Sequence, residues 1–158
     1  MHKIIPHLWF DPTTPAFGGL RGAGKEAKEA AEFYVSAFGK GSRVTHVSTI
    51  TDTPSGDCDI VSFDLQGFSF MGISLPAGQA GAGPYFTLNP SISFMLNFDP
   101  SEDKNARKNL NTLWEKLSDG GKPLMPLDTY PFSDHYGWIQ DKYGISWQLI
   151  LTKREGEP

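Results

Sequence analysis

Four histidines and a single cysteine are the side chains of this chain that most readily move protons or attack carbon near neutral pH. His7 follows Pro6 and His135 follows Asp134, each alone in its segment, and a lone imidazole so placed reads as solvated or hydrogen-bonded rather than catalytic. His2 and His46 do not share a strand face with His7. Cys58 stands between Asp57 and Asp59, whose charges oppose a thiolate, so it reads as a small buried residue. No Ser-His-Asp or Cys-His arrangement is visible along the chain. Gly18-Gly19 and Gly22-x-Gly24 fall in a loop beside Pro12 and Pro15, not between a strand and a helix. They read as loop punctuation, not as a turn that cradles a nucleotide-like cofactor.

The elements that must position any site come from a chain of 158 residues, enough for one well-filled core. With 14 Lys and Arg against 18 Asp and Glu, its net charge is -4, and no basic run is present. That balance argues against nucleic acid or an anionic membrane as partner. One cysteine cannot form an internal disulfide, which fits a cytoplasmic protein, and the N-terminal segment lacks an apolar run of signal or membrane-spanning length.

Two stretches about half a chain apart have nearly the same wording. Asp64-Leu65-Gln66-Gly67-Phe68-Ser69-Phe70-Met71 and Asp141-Lys142-Tyr143-Gly144-Ile145-Ser146-Trp147-Gln148 both read Asp-x-x-Gly-apolar-Ser-aromatic. Each is a hairpin turn that delivers an alternating strand. The likeness extends outward, because Leu8-Trp9-Phe10-Asp11 matches Leu96-Asn97-Phe98-Asp99, and Phe33-Tyr34 matches Leu113-Trp114. An internally duplicated domain follows.

In the first half, strands are expected over Ile4 to Phe10, Arg43 to Thr51, Cys58 to Leu65 and Phe68 to Leu75. Ala30, Phe33, Tyr34, Ala37 and Phe38 supply a helical stripe that Gly39 and Gly41 end. The second half repeats this plan with strands over Ile92 to Phe98, Pro123 to Tyr130, Gly137 to Asp141 and Ile145 to Thr152. Its helix, expected to start at Asp99-Pro100-Ser101-Glu102, carries Ala106, Leu110, Leu113 and Leu117. The expected class is α+β, one module over residues 1–78, a second over 89–153, and a Gly/Pro-rich connector over 79–88. A strand-helix-three-strand unit covers one sheet face with its helix, so two opposed units leave a cup between their other faces.

Tandem modules of this kind resemble the vicinal oxygen chelate superfamily, which includes glyoxalase, bleomycin-resistance and extradiol dioxygenase proteins. Within it, Pro6-His7-Leu8-Trp9-Phe10-Asp11, Ala30-Ala31-Glu32-Phe33-Tyr34 and Gly137 through Gln148 look like the PhnB-like group, often labelled a 3-demethylubiquinone-9 3-methyltransferase domain. The resemblance implies a glyoxalase-like cup, and a homodimer whose cups combine modules of both chains. In that arrangement Phe17 and Leu20 would anchor the loop from Pro12 to Gly24 as an interface cover.

Metal-using members of the superfamily place one ligand on the first and last strand of each module. Seven residues past each hairpin Asp, where such relatives carry Glu, this chain has Met71 and Gln148; the matching positions on the opening strands fall within Ile4 to His7 and within Ile92 to Ser93. A thioether, an amide and at best one imidazole or hydroxyl do not assemble a transition-metal site. No metal and no other cofactor is therefore expected.

If Gln148 faces the cup, then Ser146 and Ile150 share its face and Trp147 and Leu149 lie under the helix. In the first module, Met71, Ser69 and Ile73 face in, and Phe68 and Phe70 face out. Trp9 and Trp138 add aromatic surface. The candidate ligand-binding set is His7, Trp9, Met71, Ser93, Trp138, Ser146 and Gln148. The ligand would be a small, partly aromatic organic molecule held between the modules, and no residue is assigned a catalytic role. This describes a metal-free binding protein or an enzyme of unassigned chemistry. The alternatives are a metal-dependent lyase, isomerase or dioxygenase, and the methyltransferase that the family label implies.

Overall fold

The computed structural model describes residues 3–18, 24–52, 57–74 and 88–153. It divides into two compact units, 1–87 and 88–158. The connector expected over 79–88 lies, apart from Leu88, outside the described residues, as does Leu20.

The first unit runs β1 (His7–Phe10), a 3-10 turn (Pro15–Phe17), α1 (Glu26–Phe38), β2 (Arg43–Ile50), β3 (Cys58–Leu65) and β4 (Phe68–Ser74). Its sheet order is β1-β4-β3-β2, with β1 parallel to β4 and the other neighbours antiparallel. The second unit runs β5 (Phe94–Phe98), α2 (Ala106–Ser118), β6 (Lys122–Tyr130), β7 (Ser133–Gln140) and β8 (Ser146–Leu151), in the order β5-β8-β7-β6 with the same directions. Among the described residues, eight strands and two α-helices therefore follow the expected strand-helix-three-strand plan twice.

Helix α1 buries Ala27, Ala30, Ala31, Tyr34 and Phe38. Tyr34 stacks on Phe63 and Phe63 on Phe70, at 6.2 and 5.6 Å between ring centres. At the start of α1 the sheet supplies the missing cap, since Ser74 Oγ accepts a 2.9 Å bond from Ala27 N. In the second unit Leu110, Leu113 and Leu117 of α2 lie buried, as do Ile139, Trp147 and Leu149 of the sheet. A side chain at Gly137 would meet the Trp114 ring at 2.5 Å, so only glycine lets that indole seat on β7. Among the described residues no helix is long and apolar enough to cross a membrane.

Several boundaries differ from expectation for local reasons. Strand β1 starts at His7 rather than Ile4, although Pro6 O still accepts from Met71 N at 2.9 Å. Strand β5 starts at Phe94. Helix α2 starts at Ala106, not at Asp99, because Asp99 is used in a tight turn whose Oδ1 accepts from Ser101 N and Ser101 Oγ. Asp11 makes the same turn with Thr13, so the sequence match between the two segments reflects a shared strand exit. Phe68 shares the parity of Phe70 but is 74 % exposed at the hairpin end. Phe17, expected as an interface anchor, is buried against the edge of Phe10 with ring centres 6.3 Å apart.

The two hairpins are not equivalent turns. Leu65 pairs with Phe68 across a two-residue turn in which Gln66 and Gly67 both have positive φ, at 50° and 89°. In the second unit Gln140 pairs with Ser146 and Asp141 N donates to Ile145 O at 2.8 Å, which leaves a three-residue loop, one residue longer, closed by Gly144 at φ 92°. One added residue moves a side chain to the other face of a strand. Asp64 thus points to Ser69, whose hydroxyl it accepts at 3.0 Å, whereas Asp141 is buried on the helix side.

Candidate functional site

In each unit the helix covers one sheet face, and the candidate residues lie on the other. On the first sheet His7 stands opposite Met71, Trp9 opposite Ile73, and Ser62 opposite Met71 from the far side. His7 is exposed, while Trp9 and Met71 are half-buried. At the hairpin end, Lys3 Nζ donates to Ser69 Oγ at 2.7 Å, and Arg43 lies 3.6 Å from Asp64.

The second sheet brings its candidates into two hydrogen-bonded sets side by side on one face. Tyr136 OH donates to Gln148 Oε1 at 2.6 Å, and Gln148 Nε2 donates to Ser93 Oγ at 2.6 Å. Beside them, Trp138 Nε1 donates to Ser146 Oγ at 2.7 Å. Strand register explains the grouping: Tyr136 pairs with Ile150 and Trp138 with Gln148, so alternate residues of β7 and β8 share this face. Phe94 pairs with Trp147 and their rings touch on the helix side, 5.3 Å apart, which leaves Ser93 and Ser146 on the opposite face of neighbouring strands. Burial, and then the nearby Tyr130, push the Tyr136 phenol up, so it remains a protonated donor near neutral pH.

All four second-module candidates, Ser93, Trp138, Ser146 and Gln148, are thus hydrogen-bonded within these two sets. Tyr136 is not among the expected residues, because the strand expected over Gly137 to Asp141 leaves out the preceding in-phase position. Its signal was the alternation Tyr136, Trp138, Gln140. The ladder also moves two positions along β5: the residue opposite Gln148 is Met95, not Ser93.

His135 belongs elsewhere. It lies on the helix side of β7 with Nε2 against Asn111 Oδ1 of α2. Burial and then Arg107 push its imidazole down, with Asp128 opposing, which favours a neutral ring. Cys58 is buried, and burial followed by Asp59 and Asp57 pushes its thiol up, away from nucleophilic use.

The first and last strands of the units meet at His7 with Met71 and at Met95 with Gln148. One imidazole, two thioethers and an amide whose two ends are engaged by Tyr136 and Ser93 do not fit a divalent transition metal. Among the described residues no group of three or more His, Cys, Asp or Glu side chains is gathered as metal ligands would be.

Comparison with known proteins places this arrangement. A putative 3-demethylubiquinone-9 3-methyltransferase, PhnB protein, from Bacillus cereus is 31 % identical, with 96 % of this chain and 100 % of that chain covered and a TM-score of 0.70. The fold is shared at lower identity by a glyoxylase/bleomycin resistance protein/dioxygenase domain from Frankia sp. EAN1pec, at 16 %, covering 99 % and 96 %, TM-score 0.57. It is shared too by the fosfomycin resistance protein FosX from Listeria monocytogenes complexed with Mn(II) and sulfate, at 9 %, covering 98 % and 92 %, TM-score 0.52. No curated protein matches the chain significantly. The model of the family described as 3-demethylubiquinone-9 3-methyltransferase matches residues 2–150, nearly the full length, and the chain belongs to that family.

Proposed function

We propose that this chain is a metal-independent small-molecule binding protein, or an enzyme of unassigned chemistry, whose ligand is a small, partly aromatic organic molecule. Its candidate contacts are Ser93, Trp138, Ser146 and Gln148 on the helix-free face of the second sheet and, on that of the first sheet, His7, Trp9 and Met71. The observation that carries this reading is the commitment of Gln148 to Tyr136 and Ser93 at the strand position where metal-using relatives hold a carboxylate. An apolar wall of Met95, Ile150 and Trp138 around a few fixed hydrogen-bonding groups is the usual make-up of a small-molecule site. The outermost strands of both sheets support a homodimer as the working form.

The test is a titration of planar aromatic compounds followed by tryptophan fluorescence, with and without a chelator. Binding that survives the chelator and is weakened by Trp138→Ala supports the reading; binding that requires Mn²⁺ or Zn²⁺ overturns it. The family description favours a second reading, methyl transfer. A rise in Tm with S-adenosylmethionine would support that reading.

A further inference from the structure

The second sheet's helix-free face has an excess of hydrogen-bond donors that follows from counting hydrogens. Indole Nε1–H only donates, so Ser146 Oγ must accept from Trp138, and its own hydroxyl hydrogen has no recorded acceptor among the described residues. Ser146 is 2 % exposed, and a buried hydroxyl hydrogen without an acceptor is uncommon. The chain Tyr136, Gln148, Ser93 contains two hydroxyl hydrogens and two amide hydrogens but only two hydrogen bonds. As oriented, the surplus hydroxyl hydrogen belongs to Ser93. With the Gln148 amide turned over, Ser93 would donate to Oε1 and the surplus would move to Tyr136. Either way one O–H and one amide N–H remain unspent, so the count does not depend on the amide orientation.

The centre of this face has no formal charge; at its end Asp134, in phase with Tyr136 on β7, pairs with Lys153 at 3.2 Å. From Tyr136 to Gln140 on β7, and along β5 and β8, its side chains are Tyr136, Trp138, Gln140, Met95, Asn97, Ser146, Gln148 and Ile150, with Ser93 just before β5. Lys122 and Asp128, opposite Gln140 and Tyr136, are exposed on the outer strand β6 and opposite in sign. A cation would add donors where donors are already in excess, and an anion would be desolvated without a counter-charge.

We infer that the ligand of this face is a neutral, planar molecule bearing a carbonyl-type acceptor that receives the surplus hydrogen of the half-buried Ser93, with the Gln148 amide as oriented. The inference rests on the small-molecule reading above and adds the polarity of the ligand. An acceptor that reaches Ser93 meets this O–H just before β5, while Ser146, buried beneath, fixes the Trp138 indole through its 2.7 Å bond. Trp138, half-buried beside them, supplies the flat apolar surface.

Three naphthalenes of similar size test this: 2-acetylnaphthalene, 2-ethylnaphthalene and 2-(aminomethyl)naphthalene, with Kd read from tryptophan quenching. The ketone should bind about 3- to 10-fold more tightly than the hydrocarbon, the range that one or two net hydrogen bonds give, and more tightly than the ammonium. Ser93→Ala should shrink that preference while leaving the hydrocarbon unchanged, and Ser93→Thr should restore it. Ser93 is half-buried, so the Ala variant should fold; unchanged circular dichroism and Tm check this. Equal binding of ketone and hydrocarbon, both sensitive to Trp138→Ala, would overturn the acceptor inference and leave the binding face standing. Absence of binding by all three, or binding indifferent to Trp138→Ala, would overturn both.

Discussion

Asp141 Oδ2 accepts a 2.8 Å hydrogen bond from the indole Nε1 of Trp147, six residues later and fully buried under α2. The other carboxylate oxygen accepts from Tyr143 N at 2.9 Å and Ile145 N at 3.0 Å. One buried side chain therefore closes the hairpin and anchors the largest core residue of the second unit. Asp141→Ala strands three donors and should cost about 2–4 kcal/mol, lowering Tm by about 5–15 °C. Asp141→Asn turns an NH₂ toward the indole N–H, and pairing it with Trp147→Phe should recover part of the loss relative to Asp141→Asn with Trp147 intact. Urea denaturation of these variants and of Trp147→Phe alone measures this, and additive losses would contradict the donor clash.

That same carboxylate marks where the sequence was legible and where it was not. The repeated Asp-x-x-Gly-apolar-Ser-aromatic wording located both hairpins, and alternation placed Trp147 and Leu149 under the helix, because period-two burial is written directly in residue type. Turn length is not so written. Asp64 and Asp141 look alike in sequence, yet an additional loop residue sends them to opposite faces, and the difference lies in backbone conformation at Gln66-Gly67 and Gly144. Hydrogen bonds between strands, such as Tyr136 to Gln148, depend on a register fixed by tertiary packing. For that reason Tyr136 and Met95 were missed while Gln148 was found.

Glu26 sets a pH dependence. It is buried at the start of α1, where its carboxylate accepts from Gly24 N at 2.9 Å, and burial pushes its pKa up despite that bond. The folded protein therefore holds this proton more tightly than the unfolded chain. Its contribution to stability is full below the unfolded pKa of about 4.3 and is lost as pH rises through the raised value. Glu26→Gln keeps an acceptor and should flatten the fall in stability above that pH. Urea midpoints from pH 4 to 8 that change identically in both proteins would contradict this.

Cys58 should be inert in the folded state. Its thiol is buried and its pKa is pushed up by burial, then by Asp59 and Asp57. Reaction with a chromogenic disulfide at pH 8 should be slower than in the urea-unfolded chain by on the order of 100-fold or more, because it must wait for opening. Equal rates would show that β3 opens freely.

Metal titration is a separate expectation. The strand positions that pair His7 with Met71 and Met95 with Gln148 offer a single good transition-metal donor between them. Calorimetry with Mn²⁺ or Zn²⁺ should show no stoichiometric binding at micromolar concentration, and His7→Ala should leave the trace unchanged. A one-to-one isotherm lost in His7→Ala would restore the metal-dependent alternative.

Assembly can be read from the sheet edges. Strands β1 and β2 end the first sheet and β5 and β6 the second, and β2 leaves Val47 and Ile50 39 % and 40 % exposed. Edge strands with apolar side chains invite pairing with another chain unless they are covered. A second copy is a partner that such edges can accept, across a two-fold axis that makes the contact self-complementary. The prediction is a homodimer burying more than about 1,200 Å² in total, the lower end for a specific interface. Light scattering at micromolar concentration should therefore give twice the 17.4 kDa chain mass. Val47→Lys with Ile50→Lys tests whether β2 lies in the contact: the pair should shift the mass toward monomer with little loss of helical signal. A monomeric wild-type protein would contradict the dimer, and a dimer indifferent to the double substitution would move the contact away from β2.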